Sequence, residues 1–132
     1  MFYNNIIIMG EINITPLIKA HTTLKAGKAQ AENELERDGV IQRFEYTYEL
    51  VWKTLQKIIA YKGVVANSPR DVFREAARLG IIDDPIEWFD FLKARNLTTH
   101  TYNQITAQEI FDTIPLFIEK VDTIIEMIKE IK

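Results

Sequence analysis

The sequence predicts an all-α fold, an antiparallel (up-and-down) four-helix bundle with one short extra helix. Three observations predict it. Apolar residues recur at steps of three and four over long stretches, Pro and Gly stand where such stretches would start and stop, and no segment alternates polar and apolar residues as a strand would. At 132 residues, with 47% hydrophobic and 27% charged side chains, the chain suits one domain with a buried core and is too apolar for a disordered one. Residues 14–132 form the bundle domain in this reading, and residues 1–13 a loosely structured N-terminal arm.

The first helix is expected to open at Thr15-Pro16, with Thr15 as cap and Pro16 at the first helical position. Leu17, Leu24, Ala31 and Leu35 then share one face, together with His21 and Lys28, and Gly27 weakens its middle. The second helix spans about Arg37 to Lys62 and stops at Gly63. Val40, Ile41, Phe44, Tyr48, Val51, Leu55, Ile58 and Ile59 give it one wide apolar stripe, and Tyr46, Leu50 and Tyr61 a second, weaker one. A helix apolar on two sides is either central or shared with a partner; the small size of the bundle favours the partner.

Ser68-Pro69-Arg70-Asp71 opens a short helix that ends at Leu79-Gly80, and Asp84-Pro85-Ile86-Glu87 opens the next. Thr106-Ala107-Gln108-Glu109 has the form of a capping box for the last helix. There Ile110, Ile114, Phe117, Val121, Ile124, Ile128 and Ile131 repeat as a packing seam, interrupted by Pro115, which is expected to kink it.

Composition narrows function by exclusion. With no cysteine, disulfides, Cys-ligated zinc and thiol catalysis are ruled out, and a cytoplasmic location is the default expectation. No apolar run approaches the roughly 20 residues of a membrane helix. The run Ile6-Ile7-Ile8-Met9 is too short for a signal-peptide core, and Met9 is a possible start. A net charge of -3 argues against broad nucleic-acid affinity while leaving room for a local basic patch.

One segment breaks the pattern. Trp88, Phe89, Phe91 and Leu92 mark the inward face of their helix. Continued at about 100° per residue, that face next carries Arg95, Asn96, Thr99, His100 and Tyr102, with Leu97, Thr98 and Thr101 pointing away. Polar groups directed inward cost several kcal/mol unless paired, roughly the desolvation penalty of each. Either they form a hydrogen-bonded plug that fixes helix register, or they form a site. The residue types suit phosphate chemistry on RNA. Arg95 offers a rigid fork of donors for phosphate oxygens. His100 titrates near neutrality and can exchange a proton with a ribose 2′-hydroxyl or a leaving oxygen. Asn96, one turn before His100, can orient the ring or bind phosphate. The scheme needs neither metal nor cofactor.

Other features read more plainly. Glu45 and Glu49, one turn apart beside Trp52, read as partners for lysine or arginine before they read as a cation site or an acid/base pair. Arg70, Arg74 and Arg78, at four-residue spacing, read first as a solvated stripe paired with Asp71 and Glu75, and second as a track for an RNA backbone or an acidic partner. His21 reads as a packed or interface histidine.

The segment Arg95-Asn96-x-x-x-His100-x-Tyr102 resembles the Arg-x4-His-x-Tyr motif of HEPN-domain proteins, in particular the HepT-like branch, which includes nucleotidyltransferase substrate-binding subunits. The stretch from Arg37 to Lys53 resembles the second helix of that branch, as does Ser68-Pro69-Arg70 with Glu75-Ala76 and Leu79-Gly80 its following segment. In this order the three stretches make the resemblance specific, and it covers residues 14–131. The resemblance implies a helical homodimer that brings two motifs together across a cleft and pairs with a minimal nucleotidyltransferase. It implies a toxin–antitoxin pair in which this chain is a metal-independent endoribonuclease acting on RNA, with catalytic Arg95, Asn96 and His100, silenced when the transferase adds AMP units to Tyr102 (AMPylation). The alternative it carries is a non-catalytic substrate-binding subunit of a two-component nucleotidyltransferase. A scaffold in which the motif is only a buried network remains the third reading.

Overall fold

The computed structural model describes residues 12–131, and every regular element among them is helical. These are α1 (Thr15–Gln30), α2 (Glu34–Tyr61), α3 (Pro69–Arg78), α4 (Pro85–Asn96) and α5 (Gln104–Ile131), with a 3₁₀ turn at Thr98–His100 between α4 and α5. The all-α bundle expected from the sequence is thus the observed architecture. Residues 1–11, which hold most of the expected N-terminal arm and the Ile6–Met9 run, lie outside the described residues. Ile12 is buried against the core, and the Asn13 carboxamide accepts from the Thr15 N–H at 3.0 Å.

Several helix ends fall where side-chain chemistry puts them, and three expected ends are corrected. Ser68 and Asp84 cap α3 and α4, accepting from Asp71 N–H and Ile86 N–H, and Gly63 and Gly80 adopt the left-handed φ values of 83° and 77° just past α2 and α3. Thr15, however, is already helical, with Ile14 at the cap position and Asn13 supplying the acceptor. The second helix starts three residues earlier than expected. Asn33 caps it through Glu36 N–H at 2.8 Å, while the Glu36 carboxylate reaches back to Glu32 N–H. That cap also takes Leu35 out of the α1 stripe: it sits 83% exposed on the first turn of α2. The Thr106–Glu109 capping box is not used, because Asn103 accepts from both Ile105 N–H and Thr106 N–H and starts α5 at Gln104. Nor does Pro115 interrupt α5, which runs through it with the ring exposed to solvent.

The three-residue link between α1 and α2 makes them antiparallel neighbours, and α2 packs against every other helix of the bundle. The expectation that a partner accounts for its breadth is therefore corrected in part. Val40, Ile41, Phe44, Thr47, Tyr48, Val51, Thr54, Leu55, Ile58 and Ile59 are all buried within one chain, so α2 is the central helix. Of the second, weaker stripe, Tyr46 and Tyr61 stay more than a third exposed, with Leu50 half-buried between them. The core is joined by aromatic rings from four helices. Phe73 stacks on Trp88 with centroids 4.8 Å apart, and the Phe117 ring meets Phe44, Trp88 and Phe91 edge-on at 4.8–5.9 Å. The seam of α5 is buried from Ile110 to Ile128, and the Ile131 side chain lies outside the description.

His21 is a packed histidine, 2% exposed, whose Nε2 lies 2.8 Å from Asp122 Oδ1 and ties α1 to α5; Lys25 shares the same carboxylate at 3.1 Å. Burial pushes the His21 pKa below its ordinary 6.5, against the opposing pull of Asp122. For Asp122 burial acts upward, but hydrogen bonds and charge from His21 and Lys25 outweigh it and leave the carboxyl below 3.8. Native His21 therefore takes up a proton at lower pH than the unfolded chain does. Its contribution to stability is complete above pH 6.5 and declines as pH falls from there toward its native pKa, and the Asp122 contribution is lost below 3.8. Thermal unfolding is expected to move to lower temperature between pH 7 and pH 5, and His21→Gln, which cannot titrate, to flatten that slope. An equal slope in the variant would show that other groups carry it.

Candidate functional site

The helix carrying the motif does not continue as the sequence suggested. Its regular winding ends at Asn96: Leu97 N–H turns back to the Ala94 carbonyl at 3.1 Å and His100 N–H to the Leu97 carbonyl at 2.9 Å, the pattern of a 3₁₀ turn. The tighter winding rotates the later side chains away from the face that carries Trp88 and Phe91. Leu97, Thr98 and Thr101 become the half-buried members, whereas Asn96, Thr99, His100 and Tyr102 are exposed and Arg95 is half-buried. The expected inward and outward sets beyond Arg95 are thus reversed. The cause is Leu97, the one apolar side chain of the segment, which packs against the core and pulls the turn with it.

From α2, two carboxylates hold this turn. Glu49 forms an ion pair with the Arg95 guanidinium and accepts from Trp52 Nε1 at 3.2 Å, with Lys53 Nζ 4.0 Å away. The Thr98 hydroxyl lies 2.6 Å from Glu45 Oε2 and 2.8 Å from the Arg95 carbonyl, and its single proton can go to either. Further along, Arg37 Nη2 donates to Gln104 Oε1 at 2.5 Å and pins the start of α5 to α2. Glu45 and Glu49 were expected to be partners of lysine or arginine. Glu49 is one, while Glu45 instead anchors a threonine. Their spacing beside Trp52 is visible in the sequence, but nothing in it matches them to Arg95 and Thr98, some fifty residues away. The polar-plug reading therefore describes half of the segment: Arg95 and Thr98 are the plug.

The other half is open to solvent. Tyr102 is 79% exposed, its hydroxyl lies 3.2 Å from His100 Nδ1, and the two rings meet edge-on at 5.8 Å. His100 Nε2 has no partner among the described residues. The phenol can donate or accept, so it tolerates either ring tautomer and leaves Nε2 for an incoming group. Arg95 Nη1 donates to Asn96 Oδ1 at 3.2 Å. The Tyr48 hydroxyl is buried without a hydrogen bond. Burial drives its pKa well above 10, Arg95 and Arg70 pull it down, and Glu49 adds to the rise. The structure thus gives the four sequence candidates as two contacting pairs, Arg95 with Asn96 and His100 with Tyr102, joined through the 3₁₀ turn. Among the described residues no group of three or more His, Cys, Asp or Glu is placed to hold a metal ion, and no helix is long and apolar enough to cross a membrane.

Comparison with known proteins matches this arrangement to a family. A family model described as nucleotidyltransferase substrate binding protein like matches residues 13–130, essentially the whole helical domain. The chain belongs to that family. One family relative, a probable ribonuclease HepT of Haemophilus influenzae, is 33% identical over 97 residues, which cover 70% of this chain and 66% of the relative. The chain therefore spans just under two thirds of that relative's length. The fold recurs in a crystal structure of a protein from Thermus thermophilus, with a TM-score of 0.80 and 34% identity over 85% of this chain and 98% of the other. It recurs again in a Haemophilus influenzae protein described as having the fold of a substrate binding domain of a nucleotidyltransferase. There the TM-score is 0.79 at 25% identity, covering 89% of this chain and 99% of the other.

Proposed function

We propose that this chain is a HepT-like toxin, a metal-independent endoribonuclease that works as a homodimer and pairs with a minimal nucleotidyltransferase as its antitoxin. The observation that carries the reading is the state of its two histidines. His21 is buried and bound to Asp122, whereas His100, five residues along the chain from the anchored Arg95, is exposed, with Nε2 unengaged among the described residues. Cleaving a phosphodiester through the ribose 2′-hydroxyl takes a base for that hydroxyl and an acid for the departing 5′-oxygen. One chain offers one histidine for two roles, and a dimer that places two motifs face to face offers both. In this scheme one His100 takes the 2′-hydroxyl proton while the other protonates the leaving oxygen, and Arg95 binds the phosphate as charge builds on it. Asn96 orients the phosphate, and Glu49 positions the Arg95 fork. Sedimentation at micromolar concentration is expected to show a dimer. A monomer at every concentration would leave each motif without its second histidine and remove the scheme.

A second reading is supported by the family description and by the Haemophilus structure described as a substrate binding domain. In it the same surface presents a nucleotide or other substrate to the transferase and cuts nothing. The purified chain alone separates the two: cleavage of RNA without the transferase supports the first reading, and transferase activity that depends on this chain, with no cleavage, supports the second.

A further inference from the structure

The arginine stripe of α3 is not uniform. Arg74 is paired with Asp71 at 2.9 Å and Arg78 with Glu75 at 2.7 Å, as a solvated helix face would be. Arg70 has no carboxylate partner among the described residues. Its guanidinium lies over the Phe89 ring, 4.6 Å from the centroid, with that of Arg74 further off at 5.9 Å. Phe89 comes from α4, and one turn further on α4 carries Lys93, which likewise has no ion-pair partner among the described residues. Arg70, Phe89, Lys93 and Asn96 line one open groove of about 420 Å³ between α3 and α4, with Asp90 as its single carboxylate.

The groove is continuous with the candidate site. Asn96 belongs to both, contacting Arg95 on one side and lining the groove on the other. A guanidinium stacked on an aromatic ring keeps its N–H edge directed outward, the geometry in which arginine meets phosphate oxygens. The chain as a whole carries a net charge of -3, so two unpaired cations at one groove are a local exception with a use to be explained.

We propose that this groove binds the single-stranded RNA segment flanking the cut, with Arg70 and Lys93 each contacting a phosphate, Phe89 fixing the Arg70 side chain, and Asn96 joining the groove to the cutting site. The assignment rests on the ribonuclease reading and extends it from the scissile phosphate to its neighbours. It gives the site a direction: RNA leaves the motif along α4 toward the N-terminus of α3.

The test uses the full chain and a fluorescent 2′-O-methylated oligoribonucleotide, which binds as RNA does but lacks the attacking hydroxyl, titrated by anisotropy over a range of salt. Arg70→Ala and Lys93→Ala are each expected to weaken binding severalfold for any sequence and to lower the salt slope by about 0.7, the value for one phosphate contact on a single strand. Phe89→Leu should weaken binding less and leave the slope unchanged, because the cations remain. Arg78→Ala, which removes a charge already paired, should bind as the parent does. Arg70→Gln removes the charge but keeps a polar side chain, and circular dichroism guards against an effect of misfolding. Parent-like affinity and slope for Arg70→Gln and Lys93→Ala, with the parent chain binding well, overturn the groove alone. Failure of the parent chain to bind any RNA overturns the ribonuclease reading and the groove with it. Unchanged RNA binding together with a lost complex with the transferase would reassign the groove to protein docking.

Discussion

His100→Ala is expected to lower RNA cleavage by about 10²–10⁴-fold, the range over which a positioned proton-transfer group accelerates a reaction, and to do so without disturbing the fold. The side chain is exposed, and among the described residues its ring hydrogen-bonds to the exposed Tyr102, so its removal leaves no buried polar group unpaired. Arg95→Ala should cost roughly 10²–10³-fold through lost stabilisation of the developing charge. It also leaves Glu49, three-quarters buried, without its cation, so some loss of thermal stability is expected alongside. Arg95→Lys separates the two effects. It keeps the charge beside Glu49 but loses the planar fork, so stability should return further than activity does. Circular dichroism and sedimentation check that each variant keeps the parent's helicity and assembly state, and cleavage is followed in excess chelator. If His100→Ala unfolds the protein, the histidine is structural and the catalytic assignment is wrong.

Incubation with the cognate nucleotidyltransferase and ATP is expected to raise the mass of the chain by one or more AMP units and to abolish cleavage. Tyr102 is the acceptor the structure favours. It is 79% exposed, whereas Tyr46 and Tyr61 are 39% and 37% exposed and Tyr48 is fully buried. Its hydroxyl lies 3.2 Å from the His100 ring, so an AMP group attached there brings a phosphate's negative charge to the place where the substrate phosphate must sit. The same group competes for Arg95 and removes the phenol proton that can hold one His100 tautomer. Inhibition therefore needs no change of fold. Tyr102→Phe should gain no mass under the same conditions and keep most of its cleavage activity. AMP mapped to Tyr46 or Tyr61 would contradict the acceptor, and loss of cleavage in unmodified Tyr102→Phe would make the phenol part of the cutting machinery.

What the sequence revealed and what it hid follow from the range of the interactions involved. Helix caps such as Ser68 and Asp84, the glycine stops at Gly63 and Gly80, and the buried faces of α2 and α5 depend on neighbours within a turn or two and were legible. Errors came where two local signals competed. Asn103 displaces Thr106 as the cap of α5 because its side chain reaches two free N–H groups in the structure, a contest that residue type alone does not decide. The breadth of α2 was explained by a partner, when four helices of the same chain cover it. In the candidate site, the motif residues were visible but their orientation was not. A uniform helical projection carried His100 and Tyr102 inward, and the anchoring of Leu97 and Thr98 turned them out. Long-range pairings, Glu49 with Arg95 and Glu45 with Thr98, leave no trace in spacing. The division of the α3 stripe, with Arg74 and Arg78 paired to carboxylates and Arg70 without a carboxylate partner among the described residues, is likewise invisible in the spacing.

The most direct measurement is the chemistry of the ends that the purified chain leaves on RNA in the presence of excess EDTA. Attack by a 2′-hydroxyl, with His100 moving its proton, must leave a 2′,3′-cyclic phosphate on the upstream fragment and a 5′-hydroxyl on the downstream one. Fragments with those ends, formed by the parent chain and absent with His100→Ala, are the expected result. No cleavage by the parent chain, cleavage only with added metal, or fragments ending in a 3′-hydroxyl and a 5′-phosphate would contradict the mechanism.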